Sequence, residues 1–265
     1  EVLKKITTEK ELSYYVIQPH NSPSVLFNGM INAIIPFTIK GVIWYQGEGN
    51  VGRYQNYMKL MNGLIKNWRD EWGLGDFPFY FVQLAPNGSL GQGNGTSQAF
   101  LREAQLRTML SVENTGMAVT LDIGSTITNH PPEKLLIGKR LAYWALAKNY
   151  GFNGLPHSGP VYESMKVKNN KVYVNFKFAK NGVTSYGKPL SGFEIAGEDK
   201  IFYSADASID PHWSAGWENR SVLTLSNKNV PNPLYIRYGW KNYIEGALYN
   251  VEGLPASSFR SYDFD

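Results

Sequence analysis

The pattern of the chain changes near residue 155, and this change limits the folds that are open to it. Before that point, apolar strand-like runs alternate with helical patterns; after it, short strand-like segments follow one another between turns. Strands separated by helices indicate a mostly parallel sheet covered on both faces. Short strands at regular intervals indicate an antiparallel sandwich or a similar β-domain. The sequence therefore predicts two domains, at residues 1–155 and 156–265, in an overall α/β fold.

Each predicted element follows from local periodicity. Apolar residues at helical spacing predict three helices, at 54–72, 98–111 and 132–150. On the third helix, the predicted apolar face comprises Leu135, Leu136, Leu141, Trp144 and Ala145. Strand-like runs occupy 25–31, 34–37, 41–45, 78–84 and 117–122 in the first region, and 171–178, 193–195, 201–203, 221–225 and 234–238 in the second. The Gly-, Asn- and Ser-rich stretch 87–97 predicts a loop.

The composition excludes several classes of function. The 265 residues are 43% hydrophobic, which is enough to bury a core. The 26 basic and 22 acidic residues are spread along the chain, so no basic block suggests a nucleic-acid partner. No apolar stretch reaches the roughly 18 residues that a membrane span requires. Without cysteine there is no thiol nucleophile and no disulfide, and no motif with metal-ligand spacing occurs, so neither a metal nor a cofactor is expected.

Residues 41–50, GVIWYQGEGN, carry the strongest functional signal. An apolar strand-like run breaks abruptly into two amides and a carboxylate separated by glycines, which allow a sharp turn or a close approach to a ligand. In open α/β sheets, ligands bind just past the carboxyl ends of the strands. The segment is thus a candidate site, although an ordinary polar loop after a strand has the same spacing.

His130 is the second chemical candidate. It lies in a loop between a predicted strand and a predicted helix, and the two prolines that follow it stiffen the backbone. Histidine is the usual general base for a hydroxyl nucleophile, because imidazole titrates near neutral pH. A surface or helix-capping histidine is the alternative. The other three histidines, His20, His157 and His212, are predicted to be structural.

Several segments, in order along nearly the whole chain, resemble the sialate O-acetylesterase family. They are VLFNGMINAIIPFTIKGVIWYQGEGN, LREAQ at 101–105, DIGSTITNHPPEKLLIGKRLA, and then GFEIAG, RYGW and ALYNVEGLPASSFR. This family belongs to the SGNH (GDSL-like) hydrolases, so the resemblance implies a three-layer, flavodoxin-like α/β/α catalytic domain. It also implies removal of acetyl groups from sugar hydroxyls by a serine nucleophile, a histidine base and an oxyanion hole, without a metal. The expected partner is an O-acetylated glycan.

Position by position, the resemblance assigns catalytic roles to three residues. His130 would be the base that takes the serine proton and returns it to the leaving sugar oxygen. Gln46 and Asn50 would lie at the oxyanion hole or bind the acyl group. An amide N–H directed at the oxyanion stabilises charge that develops only in the transition state.

The resemblance also implies supporting roles near the substrate. Gly47 and Glu48 lie within the same motif, and Glu48 is expected to orient its neighbours or to receive a sugar hydroxyl. Arg102 and Gln105 match a helix close to the family's site. For these two residues a solvated helix face is the alternative reading.

The chain departs from the family at the nucleophile. The family's serine lies in a GQSN-like motif well upstream of the NGM segment, and a second, glycine-rich block follows it. Neither motif is present, and the first residues, EVLKKITTEKEL, resemble the helix after that second block. The sequence therefore predicts a partial catalytic domain, with the serine supplied by a segment missing from this chain.

A second departure concerns the acidic member of the triad. Family members usually have an Asp two residues before the histidine, where this chain has Thr128. A Ser-His dyad assisted by a backbone carbonyl, or a substitute carboxylate, would be needed instead. Asp122 is the nearest upstream candidate and Glu133 the nearest downstream one.

Two other functions remain open from the sequence. Loss of the serine and the acid favours a catalytically inactive carbohydrate-binding relative, and the fold also suits an acetylxylan-type esterase. In the second region Trp213, Trp217 and Trp240 could line a glycan groove, although core packing is the better explanation for most of them. Acetylated glycans are met outside the cytoplasm, so a periplasmic or secreted location is expected.

Overall fold

A computed structural model describes residues 22–209 and 222–264, and its first half is a three-layer α/β/α unit. Three parallel strands form a sheet in the order β1-β2-β3. These strands are β1 (Val42–Trp44), β2 (Phe79–Val82) and β3 (Thr115–Ala118); the helices are α1 (Tyr57–Trp72), α2 (Ser97–Ser111) and α3 (Lys134–Asn149). The parallel sheet with intervening helices confirms the α/β class predicted from the alternating pattern.

The two faces of the sheet bury different helices because successive strand residues point to opposite sides. Phe79 and Phe81 of β2 pack in the large core with α1 and α2, whereas Tyr80 and Val82 pack against α3 in a smaller cluster. All four are buried, which explains the continuous apolar run of this strand.

Helix α1 begins at Tyr57 after a 3-10 segment that spans Glu48–Asn56. It ends at Gly73, whose φ of 61° is the left-handed conformation that terminates many helices.

The buried face of α3 agrees with the prediction at Leu141 and Trp144 but not at Leu135. Ile137, Leu141 and Trp144 lie at i, i+4 and i+7 and are buried, whereas Leu135 is 73% exposed. The prediction for Leu135 was wrong, because the stripe that faces the sheet starts two residues later in the helix.

The apolar run at residues 25–37 is also not a strand. Phe27–Ile31 forms a short π-helix, in which the N–H of Asn32 donates to the carbonyl of Phe27 at 2.8 Å. Turns follow as far as residue 36. A short apolar run cannot distinguish a strand from a helical segment, and here the backbone is satisfied locally without a neighbouring strand.

The second half is antiparallel β-structure, as predicted. Its strands are β4 (Val161–Lys168), β5 (Lys171–Lys177), β6 (Val183–Thr184), β7 (Phe193–Ala196), β8 (Tyr203–Ser204), β9 (Asp206–Ile209), β10 (Leu223–Ser226), β11 (Tyr235–Tyr238), β12 (Tyr249–Asn250) and β13 (Phe259–Arg260). They form two four-stranded sheets, in the orders β4-β5-β10-β9 and β13-β11-β7-β8, and a two-stranded sheet that pairs β12 with β6. The two larger sheets turn alternating residues inward to a shared core. Trp240 is 2% exposed and belongs to the core, not to a groove; Trp213 and Trp217 lie outside the described residues.

The two halves share one hydrophobic core. Residues of the first half such as Leu101 and Leu121 belong to the same buried cluster as Phe193 and Tyr238 of the second. The backbone N–H of Gly246 donates to the carbonyl of Leu121 at 3.0 Å, so the second half packs directly against the chain that leaves β3. The boundary near residue 155 thus marks a change of architecture within a continuous core.

Candidate active site

Polar loops follow the ends of all three parallel strands, and contacts join them into one edge of the molecule. The loop after β2 bonds to the loop after β3, where the N–H of Gly88 donates to the carbonyl of Ser125 at 2.9 Å. The start of α3 reaches back to the end of β1, with Lys134 Nζ 4.7 Å from the ring centroid of Tyr45. The carboxyl edge of the sheet therefore gathers the predicted site segments, as expected for this fold class.

Gln46 and Asn50 are in direct contact. The backbone N–H of Asn50 donates to the carbonyl of Gly47 at 2.8 Å, which closes the turn after β1. The side-chain Nε2 of Gln46 then donates to Oδ1 of Asn50 at 2.6 Å. This bond fixes the orientation of the Asn50 amide, and its Nδ2 group has no hydrogen-bond acceptor among the described residues.

Gly47 lets this turn lie close against α2. It is buried, and a Cβ atom there would stand 3.2 Å from Nε2 of Gln105 and 3.5 Å from the side chain of Leu101. The backbone therefore approaches the helix more closely than a larger residue would permit.

The side chain of Gln105, on α2, supports the turn that follows β1. Its Oε1 accepts the backbone N–H of Leu84 at 2.8 Å, and its Nε2 lies 3.4 Å from the carbonyl of Gln46. The hydroxyl of Tyr57 donates to the same carbonyl at 3.2 Å. The side chain of Gln105 is fully buried, so it is not part of a solvated helix face. It links the ends of β1 and β2, and its supporting role near a substrate stays a prediction.

Replacing Gln105 with leucine is expected to destabilise the fold by about 1–3 kcal/mol, because the buried N–H of Leu84 and the carbonyl of Gln46 lose a partner. Chemical denaturation followed by tryptophan fluorescence measures the change. Gln55→Leu is the matched control, because Gln55 is exposed in the 3-10 segment and such substitutions usually change stability by about 0.5 kcal/mol or less. Equal stability of the two variants would contradict the bracing role.

The carboxylate of Glu48 belongs to the same turn as the amides of Gln46 and Asn50. It makes no hydrogen bond or ion pair with any other residue that the structure describes. Burial, followed by the charge of Glu48, raises the pKa of Tyr45. A half-buried carboxylate without an internal partner is available to accept a hydroxyl from a ligand.

His130 lies on the same edge but is exposed and does not contact Gln46 or Asn50 through any hydrogen bond found within 22–209 and 222–264. Its backbone N–H donates to Oγ1 of Thr128 at 3.0 Å. Ser125 Oγ in turn accepts the backbone N–H groups of Ile127 and Thr128, at 3.2 and 3.3 Å. Thr128, where the family usually has an Asp, therefore shapes the backbone of the His130 loop.

Asp122 is engaged elsewhere. Arg140 of α3 donates to both of its carboxylate oxygens, at 2.8 and 2.6 Å, and also to the carbonyl of Val119 at 2.7 Å. Both side chains are nearly buried. This bidentate pair fixes the chain after β3 to the helix, which favours a structural role over that of an acid for His130. Glu133, the other candidate acid, is exposed immediately before α3.

Arg102 is completely buried and acts as a clamp. Its guanidinium donates to the carbonyls of Gly239 and Lys241, at 3.0 and 2.5 Å, and its Nε donates to Oγ of Ser258 at 2.9 Å. Desolvation lowers its pKa to about 9. The alternative of a solvated helix face was wrong, because Arg102 is buried and fastens α2 to the second half of the chain.

Sequence reasoning missed Tyr57 and Arg140. Tyr57 lies on the apolar stripe of α1, where its hydroxyl gave no signal of its contact with Gln46. Arg140 could have been found, because it is a charged residue within the buried stripe formed by Ile137, Leu141 and Trp144. A buried arginine predicts a buried acceptor, here Asp122.

Two broader sequence predictions can be compared with the geometry. No group of three or more His, Asp or Glu side chains within the described ranges could hold a metal ion. No helix in the described part of the chain is long and apolar enough to cross a membrane.

Comparisons with known proteins identify the family. Residues 17–146 match a family model described as a carbohydrate esterase, sialic acid-specific acetylesterase. Curated sialate O-acetylesterases from Pongo abelii and Homo sapiens are 32% and 30% identical over 91% and 98% of this chain, which covers 49% and 53% of their own lengths. The crystal structure of a carbohydrate acetylesterase from Xanthomonas citri is 35% identical, with a TM-score of 0.81 over 92% of this chain and 55% of that one.

These matches confirm the family resemblance found in the sequence. The chain spans about half the length of the curated relatives that it matches.

Proposed function

We propose that this chain, which carries the sialic acid-specific acetylesterase domain at residues 17–146, forms part of a carbohydrate O-acetylesterase that acts on sialic acid or related glycans. The observation that carries the proposal is the fixed amide of Asn50, whose Nδ2 is presented at the carboxyl edge while Gln46 holds its Oδ1. An acyl-transfer site needs such a preorganised donor for the developing oxyanion.

The chemistry proceeds by acyl transfer. A serine hydroxyl attacks the acetyl carbonyl while His130 takes its proton, and Asn50 donates to the oxyanion of the tetrahedral intermediate. Collapse of that intermediate breaks the ester bond, and His130 returns the proton to the leaving sugar oxygen. Water then attacks the acetyl-enzyme, with His130 as base again, and acetate leaves. Glu48 accepts a hydroxyl of the sugar.

The serine comes from a segment outside the residues of this chain, in the same polypeptide or in an associated one. Two features support this. First, β1 pairs only with β2 within the described residues, so its other edge is open to a further strand. Second, Ile43 is 71% exposed on the face beside α3, next to a shallow cleft of about 170 Å³. Added strands and helices would cover this apolar surface and complete an SGNH-type domain.

The natural location of such an enzyme is periplasmic or secreted, because O-acetylated glycans are met outside the cytoplasm. This part of the proposal depends on the substrate class alone.

The test is acetate release by the complete polypeptide from O-acetylated sialic acid and from acetylated xylan. We expect faster release from the sialic acid ester, and a reduction of about 10²–10³-fold in kcat on Asn50→Ala, from loss of one oxyanion donor. Asn56→Ala is the matched control, because Asn56 is exposed and its side chain does not cap α1.

Three outcomes would count against the proposal. Absence of acetate release from both esters would favour an inactive carbohydrate-binding relative. Faster release from xylan would favour an acetylxylan-type esterase. Full activity of Asn50→Ala would remove this residue from the oxyanion hole.

A further inference from the structure

A second cleft lies at the far end of α3, away from the candidate active site. It occupies about 380 Å³ between the last turn of α3, the connection into β4 and the turn after β5. Its walls include Lys148, His157, Phe178, Lys180, Asn181 and Glu252. Lys134 and Lys148 are 14 residues apart on one helix, so the two sites are separated by about 21 Å along its axis. The cleft is not part of the acetylesterase chemistry.

Phe178 stands in this cleft in a strained conformation. Its φ is 56°, in the left-handed region where a large side chain is a genuine outlier. Asn250, which is buried, holds it there by donating Nδ2 to the carbonyls of Ser158 and Phe178, at 3.0 and 3.1 Å. The result is a phenyl ring that remains 42% exposed. Strain of this kind persists where the surrounding structure enforces it, and it is concentrated at ligand sites.

Two rings pack behind the phenyl ring: that of Trp144, which is buried, and that of His157, which is half-buried. The centroid of His157 is 4.6 Å from Trp144 and 5.7 Å from Phe178, in edge-to-face arrangements. Nδ1 of His157 lies 3.1 Å from the carbonyl of Leu155, which can only accept, so Nδ1 carries the proton. Burial lowers the pKa of His157. Its Nε2 is buried without a partner among the described residues.

The polar groups of the cleft suit a carboxylate and hydroxyls. Neither ammonium group of Lys148 and Lys180 forms an ion pair or a hydrogen bond within the described part of the chain. Glu252 accepts a hydrogen bond from Asn181 Nδ2 at 2.7 Å, so its charge is oriented by a neutral partner. A neighbouring cleft of about 560 Å³ is also lined by Lys148 and Phe178, so the phenyl ring borders both spaces.

We propose that this cleft is a second carbohydrate-binding site, which takes a carboxylate-bearing sugar. The C–H face of the sugar packs on the exposed ring of Phe178, as apolar sugar faces do on aromatic rings. Its carboxylate pairs with Lys148 or Lys180, and its hydroxyls bond to Asn181 and Glu252. The site holds a glycan chain near the enzyme without taking part in ester cleavage.

The experiment follows the indole N–H resonance of Trp144 in the ¹⁵N–¹H spectrum of the complete polypeptide. N-acetylneuraminic acid is the probe, and N-acetylmannosamine is a neutral comparison. We expect the acidic sugar to shift this resonance in a saturable way, with a dissociation constant in the millimolar range and at least fivefold weaker binding of the neutral sugar. Asn50→Ala should leave the shift unchanged, which separates this cleft from the candidate active site and from any failure of the esterase proposal.

Phe178→Asn is the decisive variant, because asparagine tolerates left-handed backbone and replaces the ring with a short amide. It should weaken binding at least fivefold, and Lys148→Ala should remove the preference for the acidic sugar. Tyr186→Asn is the matched control. Tyr186 is also an aromatic residue with positive φ (50°) and is 57% exposed, but it does not line the cleft. An unmoved Trp144 resonance, or equal binding by Phe178→Asn and the wild type, would overturn the proposal.

Discussion

Replacing His130 with alanine in the complete polypeptide is expected to lower kcat for acetate release by about 10³–10⁶-fold, the range for loss of a general base that works together with a nucleophile. The reason is that no second imidazole, among the residues described, is exposed at the carboxyl edge of the sheet. The measurement is single-turnover release of the deacetylated sugar from O-acetylated sialic acid, which separates formation of the acetyl-enzyme from its later hydrolysis to acetate.

Asn129→Ala is the matched control for His130→Ala, because Asn129 is the preceding exposed residue of the same loop. It should retain most of the wild-type rate. If His130→Ala also keeps the wild-type rate, the base is another residue and the catalytic assignment of His130 fails. If both variants lose activity equally, the conformation of the loop matters and not the imidazole.

Replacing Arg102 with methionine is expected to destabilise the fold by about 3–5 kcal/mol, because several buried acceptors lose their donor at about 1–3 kcal/mol each. Methionine approximates the length of the side chain but donates no hydrogen bond, so the carbonyls of Gly239 and Lys241 and the hydroxyl of Ser258 lose a buried donor. Urea denaturation, followed by circular dichroism, gives the free energy of unfolding.

Arg53→Met is the control for Arg102→Met, because Arg53 is exposed in the 3-10 segment before α1. Its substitution should change the free energy of unfolding by about 0.5 kcal/mol or less. Arg102→Lys should remain unstable, since a single ammonium group cannot reproduce the spread of the guanidinium donors. A stability of Arg102→Met close to that of the wild type would show that the clamp is dispensable.

The sequence predicted the fold where burial and periodicity agree. Strands β1 and β2 and the three long helices were found because apolar residues recur at the spacing that each element buries. The prediction of strands at residues 25–37 was wrong, because an apolar run without alternation does not distinguish a strand from a helix. Strand β4 was missed because it is mostly exposed and its pattern, VYESMKVK, gives little apolar signal.

The candidate site was predictable only in part. Residues 46–50 were found from their glycines and amides, and the structure brings Gln46, Gly47, Asn50 and Gln105 into contact. The bonds of Arg102 to residues 239–241 could not be predicted, since they join positions more than 130 residues apart. The pairing of Asp122 with Arg140 was missed because the sequence analysis did not place Arg140 on the buried face that holds Leu141 and Trp144. His130 as the base remains a prediction.

The guanidinium of Arg102 has a consequence for how this fold can evolve. Because Arg102 donates to the carbonyls of Gly239 and Lys241, the C-terminal half cannot be replaced by an unrelated domain without losing these bonds. A replacement would have to place acceptor oxygen atoms at the same points, because the guanidinium of Arg102 would otherwise be buried without hydrogen-bond acceptors. Recombination near residue 155, where the architecture changes, should therefore be rare, and lineages should retain or lose both halves together.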